Sequence, residues 1–188
     1  MKQIFNLLLL SFMAGVSACG QNTAPASAVP PSADSVMNEA KIRAAKEQKN
    51  IFLMFHASWC TWCHRMDASM NDPSCADYFQ RNYVIIHLVV DEQKGKTHLE
   101  NPGAAELKTK YHGDGQGIPF WLVFDKDGNL LGDSMMRKEG QGPADGQNTG
   151  CPAAVAEVEH FINVLKKTSA LSTEQEEKVR VRFRKNDM

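Results

Sequence analysis

The chain lacks three things, and each absence narrows its function. Lys and Arg number 21 against 22 Asp and Glu, so there is no basic footprint for nucleic acid. The N-terminal apolar stretch, "IFNLLLLSFMAGV", has 13 residues, short of the ~20 that a membrane-spanning helix needs. A single Cys-x-x-Cys occurs among the five cysteines, so the usual four-ligand zinc spacing has no second half. Internal repeats are also missing. With 43% apolar and 23% charged residues in 188, the composition is that of one globular domain with extensions, large enough to bury a core without staples.

What is there begins with an address. Lys2, the apolar stretch and the small residues "VSA" make residues 1–18 an expected signal peptide. Cysteine follows at once, and "VSAC" resembles the lipobox of bacterial lipoproteins, which implies that Cys19 is diacylated and becomes the mature N-terminus. Ordinary cleavage would leave Cys19 a free thiol. Acyl chains bury at about 0.8 kcal/mol per CH₂ and hold a protein on a bilayer. Gly20 rather than Asp follows the cysteine, which in that resemblance favours the outer membrane. Residues 19–34, rich in Ala, Pro and Ser, read as a lipid-anchored flexible linker. The expected location is periplasmic.

A folded domain is expected over 35–168. "SVMNEAKIRAAKEQK" suggests a helix with Val36, Ala40, Ile42 and Ala44 roughly on one face. "NIFLMFH" reads as a buried strand, and "CTWCHRMDASM" as a helix that Pro73 interrupts, with a second short helix over 74–81. "YVIIHLVVD" is expected to be a central strand covered on both faces. After a helix in "PGAAELKTKYH" comes the loop "GDGQG", then a hairpin turning at "DKDG". "VAEVEHFINVLKK" puts Val155, Val158, Phe161, Ile162 and Leu165 on one face of a last helix. The order is α-β-α-β-α-β-β-α.

The run "HASWCTWCH", residues 56–64, carries the chemistry. Its two cysteines either cycle between dithiol and disulfide or, followed by His64, attach a c-type haem. Context favours the first. At i and i+3 in the first turn of a helix, the Cβ atoms approach the ~3.8 Å that a disulfide prefers. Cys60 falls at the helix N-terminus, where unpaired N–H groups favour a thiolate and lower a thiol from ~8.5 to roughly 3.5–7.5. Cys60 is therefore the expected nucleophile, and Cys63, one turn deeper, the thiol that resolves the mixed disulfide. His64 either lends positive charge near that thiolate or is a surface residue.

The runs "FHASWCTWCHRMD", "YVIIHLVVD" and "GIPFWLVFDKDGNLL", in that order, resemble the thioredoxin superfamily, and most closely its exported bacterial branch with WCxWC. The resemblance implies a three-layer α/β/α sandwich around a central mixed sheet, here with an N-terminal helix extension and a C-terminal charged helix or tail. It implies that Trp59, Thr61 and Trp62 frame the Cys60–Cys63 pair. It also implies that Pro119 is a cis-proline facing the sulfurs, with Ile118 holding an extended substrate. The sequence departs from the family where a buried Asp often relays protons: Met54 stands there. His87 corresponds to the accompanying Lys. With an ordinary pKa of ~6.5, His87 is a candidate relay, or else a plain hydrogen-bonded strand histidine.

Cys75 is expected to be a small buried apolar residue, and a Cys75–Cys151 bridge is disfavoured by the inferred separation. Cys151, before a helix, is either an inert capping residue or a reactive third thiol. "RKEGQGPADGQNTG" is either a substrate-contacting loop or a disordered insertion. Residues 169–188 open with a capping box at Ser172 and Gln175 and form either a docked helix or a frayed tail. The expected function is thiol–disulfide exchange with exported proteins or small thiols. It needs no cofactor or metal beyond the cysteine pair, and it implies an upstream membrane electron donor. The alternative is a lipoprotein binding or chaperone-like module that uses the same groove without turnover.

Overall fold

Strand β1 (Asn50–His56) is buried at five consecutive positions, because both of its faces are covered. In the computed structural model, which describes residues 29–187, β1 lies inside a four-stranded sheet. Its neighbours are β2 (Tyr83–Val89), parallel, and β3 (Phe120–Phe124), antiparallel; β4 (Leu130–Asp133) pairs with β3, giving the order β2-β1-β3-β4. The expected signal peptide, Cys19 and most of the expected linker lie outside the described residues.

Strand alternation sorts the core into two layers. Ile51, Leu53 and Phe55 of β1, with Val84, Ile86 and Leu88 of β2 and Phe120, Leu122 and Phe124 of β3, pack against α1 (Ala33–Glu47) and α4 (Ala104–Lys110). Phe52, Met54, Trp121 and Val123 face the other way. There they meet α2 (Thr61–Met70), α3 (Ala76–Asn82), α5 (Val155–Thr168) and α6 (Thr173–Arg184). The arrangement is the expected three-layer α/β/α sandwich with a mixed sheet. Gly132 lets α5 come close to β4, since a Cβ there would meet Val164 Cγ1 at 2.7 Å.

Several details differ from the sequence reading. Strand β2 is an edge, not the centre; α1 covers one face, while Ile85, His87 and Val89 are only half-buried. Helix α1 starts at Ala33, capped by Ser32, two residues before the helical stretch expected from Ser35. Its buried stripe is Ala33, Met37, Ala40 and Ala44, with Ile42 71% exposed, because two residues beyond Ala40 is ~200° around the helix. Val155 is likewise exposed, being the first residue of α5, and the packed stripe starts one turn later at Val158. After β4 the chain makes an unforeseen second ladder, β5 (Met135–Met136) with β6 (Gln147–Asn148). The intervening loop is therefore tied at its base rather than disordered.

The C-terminal segment is a docked helix. Ser172 caps α6, with Gln175 reaching back to the Ser172 N–H. Val179 and Phe183, four apart on one face, are wholly buried. The Phe183 ring lies 4.8 Å from that of Phe161 and 6.2 Å from that of Phe79. Arg182 Nε binds Asp72 Oδ2 at 3.0 Å. Asn186, just past α6, is buried and gathers Ser69, Arg65, Cys151 and Pro152 into one polar knot.

Candidate active site

The chain leaves β1 at His56, turns through Ala57–Trp59 and enters α2, so strand and helix together aim Cys60 out of the end of the sheet. Cys60 is the N-cap of α2, and its Sγ accepts the Cys63 N–H at 3.1 Å. That is the direction from which a thiolate would be stabilised by an unpaired helix N–H. Cys60 and Cys63 form a disulfide across Cα atoms 5.3 Å apart. Cys60 is 2% exposed and Cys63 not at all, whereas Trp59 and Trp62 beside them are nearly half exposed. Thr61, the first residue of α2, is also exposed.

The Ile118–Pro119 peptide bond is cis. The Ile118 carbonyl oxygen lies 3.6 Å from Cys60 Sγ; in the disulfide state the sulfur carries no proton, so this is a contact. Pro119 is buried and Ile118 half-buried. With Trp62, Asn148, Thr149 and Gly150 they line a groove of about 530 Å³. The apolar Trp62 forms one side and the backbone of Gly117–Pro119 another.

A network that sequence reasoning missed holds this rim. Trp59 Nε1 donates to the Asp91 carbonyl at 2.8 Å, at a residue whose φ of 55° is left-handed. The buried Lys108 donates to Asp91 Oδ2 at 2.7 Å and to the Gln116 carbonyl at 3.0 Å. One ammonium thus ties the turn under Trp59 to the loop before Ile118. A buried lysine on a short helix was the available signal, but burial of Lys108 is not visible in "AAELKTK".

His64 Nε2 lies 3.2 Å from the Ser58 carbonyl and donates to it, so the ring folds back over the turn. His87 Nε2 meets Asp67 Oδ1 at 2.8 Å, and its ring centroid is 5.1 Å from that of His56. Among the described residues His87 makes no hydrogen bond to Cys63. The chain instead gathers His56, His87 and Asp67 behind α2. Burial, and next the neighbouring His87, push the His56 imidazole below its ordinary pKa. Two signals pointed to these partners: strand alternation puts His56 on the face of Met54, and Asp67 is four residues past Cys63 on α2.

The other two thiols are of a different kind. Burial raises the Cys75 thiol and pushes Cys151 up to about 12. Both are free and buried. The N-cap of α5 is Ala154, so Cys151 stands three residues before the cap and is not the cap itself. Its Sγ accepts from Asn186 Nδ2 at 3.3 Å, and it is burial that holds it in the thiol form, unlike Cys60 at its helix N-cap. Among the described residues no three His, Cys, Asp or Glu are grouped to hold a metal ion.

The thioredoxin-like family matches residues 33–126, half of the chain. The chain belongs to this thioredoxin-like family. No curated protein matches it. Among solved structures it is similar to a disulphide isomerase from Xylella fastidiosa Temecula1, at 23% identity over 54% of this chain and 72% of that one, with a TM-score of 0.43. It is also similar to a DsbH oxidoreductase, at 20% identity over 82% and 95% of the two chains, with a TM-score of 0.38. Neither is close enough to transfer an activity. A thioredoxin-like sheet with a Cys-x-x-Cys that closes to a disulfide is nonetheless the architecture of a thiol–disulfide oxidoreductase, and its redox group is the cysteine pair itself.

Proposed function

We propose that the protein is a thiol–disulfide oxidoreductase of the bacterial cell envelope, exchanging disulfides with exported proteins or small thiols. The observation that carries this reading is Cys60 at the N-cap of α2, joined to Cys63, with the Ile118 carbonyl oxygen 3.6 Å from its sulfur. In the reducing direction the Cys60 thiolate attacks a substrate disulfide, forming a Cys60–substrate bond and expelling one substrate thiolate. The Cys63 thiolate then attacks Cys60 Sγ, closes the pair and releases the second substrate thiolate. Two electrons and two protons pass from the pair to the substrate, and a dithiol donor at the membrane restores the pair. Reversed, the same steps insert a disulfide.

Titration against glutathione buffers followed by maleimide labelling tests this. Cys60 and Cys63 should appear together in one two-electron transition, while Cys75 and Cys151 stay unlabelled in the folded protein. A pair that stays oxidised in every glutathione buffer and toward every donor dithiol would end the exchange reading.

The location rests on Cys19, which would carry the acyl anchor. Cys19→Ser should move the exported protein from the membrane fraction to the soluble one, because no apolar group would then replace the removed leader. Unchanged partition would remove the lipoprotein reading and leave the redox chemistry untouched.

A further inference from the structure

The residue that shapes the substrate side of the groove comes from the β5–β6 ladder. Asn148, on β6, extends its side-chain amide across the Ile118–Pro119 turn. Nδ2 donates to the Gly117 carbonyl at 2.7 Å and to the Pro119 carbonyl at 3.1 Å. Oδ1 accepts the Gly150 N–H at 3.0 Å, and the Asn148 N–H reaches Gln116 Oε1 at 3.3 Å. The chemistry of the partners fixes which way the amide faces, since two carbonyls only accept and a backbone N–H only donates. The ladder is itself held: Thr149 donates twice to the Ser134 carbonyl, and Arg137 binds Asp133 and the Pro143 carbonyl.

Along Gly117–Pro119 three carbonyls follow one another, and neighbouring residues of an extended chain present theirs to opposite edges. Asn148 takes the first and third. Ile118 is left with an N–H that has no partner among the described residues and a carbonyl that touches only Cys60. An extended chain then has one residue to pair with, and therefore one register. A slip of one residue would turn every substrate side chain to the opposite face and take the substrate disulfide out of line with Cys60. We infer that Asn148 is a positioning residue that sets the register of extended polypeptide substrates, and so directs the enzyme toward polypeptide disulfides over small ones. This rests on the exchange reading above.

Asn148→Asp is the sharp test. It keeps the volume and the acceptor for Gly150 but sets an anionic oxygen against two carbonyls and supplies no donor. Asn148→Ala removes the donor without adding charge, should the Asp variant unfold. Two substrates are compared: 2-hydroxyethyl disulfide, which makes no strand pairing, and a synthetic peptide disulfide with two inequivalent cysteines. For the peptide, kcat/KM should fall about tenfold or more, mostly through KM, as expected when the two hydrogen bonds that hold the turn are lost. Toward 2-hydroxyethyl disulfide the loss in kcat/KM should be at least about fivefold smaller than toward the peptide. In a Cys63→Ser background, mass spectrometry of the trapped complex should show Cys60 bonded to one peptide sulfur in preference when Asn148 is present, and to either about equally in the Asn148 variants. Equal losses on both substrates, or an unchanged choice of sulfur, would overturn the register role. A parent enzyme inert toward both disulfides would instead defeat the exchange reading itself.

Discussion

Cys63→Ser should stop turnover and leave Cys60 bonded to its substrate. With Ser at position 63 the first attack proceeds, but no thiolate stands behind Cys60 to resolve the product, and the mixed disulfide accumulates. Steady-state reduction of a polypeptide disulfide should fall by at least about a thousandfold, the order lost when a residue of a covalent nucleophilic unit is removed. Cys60→Ser should lose as much and trap nothing, because Cys63 is wholly buried beneath Cys60. Mass spectrometry of the non-reduced complex distinguishes the two. A trap formed equally through Cys63 would invert the assigned roles. Substrate binding that survives loss of both sulfurs, in a parent protein that shows no turnover, would point to a binding module instead.

Phe183→Ala should strongly destabilise the fold. The ring is fully buried between Phe79 and Phe161, and truncating such a residue costs ~3–5 kcal/mol through lost transfer free energy and the cavity left behind. Against a total of about 5–15 kcal/mol that is a large share. For a domain of this size the midpoint of thermal unfolding should drop by roughly 10 °C. Val181→Ala, on the exposed side of the same helix, should change stability by no more than ~0.5 kcal/mol. Urea unfolding of the three proteins checks both. A loss below about 1 kcal/mol for Phe183→Ala would mean that α6 packs on a finished core rather than completing it.

Much of the fold was legible because its signals are local. The apolar run of β1 and the hairpin at "DKDG" each depend on residues close in the chain, as does the capping box at Ser172. The spacing of Cys60 and Cys63 likewise sets a disulfide-forming pair by itself. Where the reading went astray, the deciding partner was remote. The composition of "YVIIHLVV" is that of an interior strand, yet only the sheet order makes β2 an edge. Val155 and Ile42 have the right chemistry for a core, and only the position of the neighbouring layer leaves them outside.

The sequence alone determined the export address as an expectation, the thioredoxin-like order of elements and the identity of the redox pair, since each is written in adjacent residues or in a spacing of three. Only the tertiary structure decided the surroundings of that pair. It brought Asp91 and Lys108 under Trp59, set Asp67 and His56 against His87, buried Cys151 against Asn186, and laid Asn148 across the turn at Ile118–Pro119. Each of these contacts joins elements that meet only when the sheet and its helices pack. A hydrogen bond between residues 17 or more apart leaves no period in a sequence; it exists because packing presents each polar group with a partner from another element.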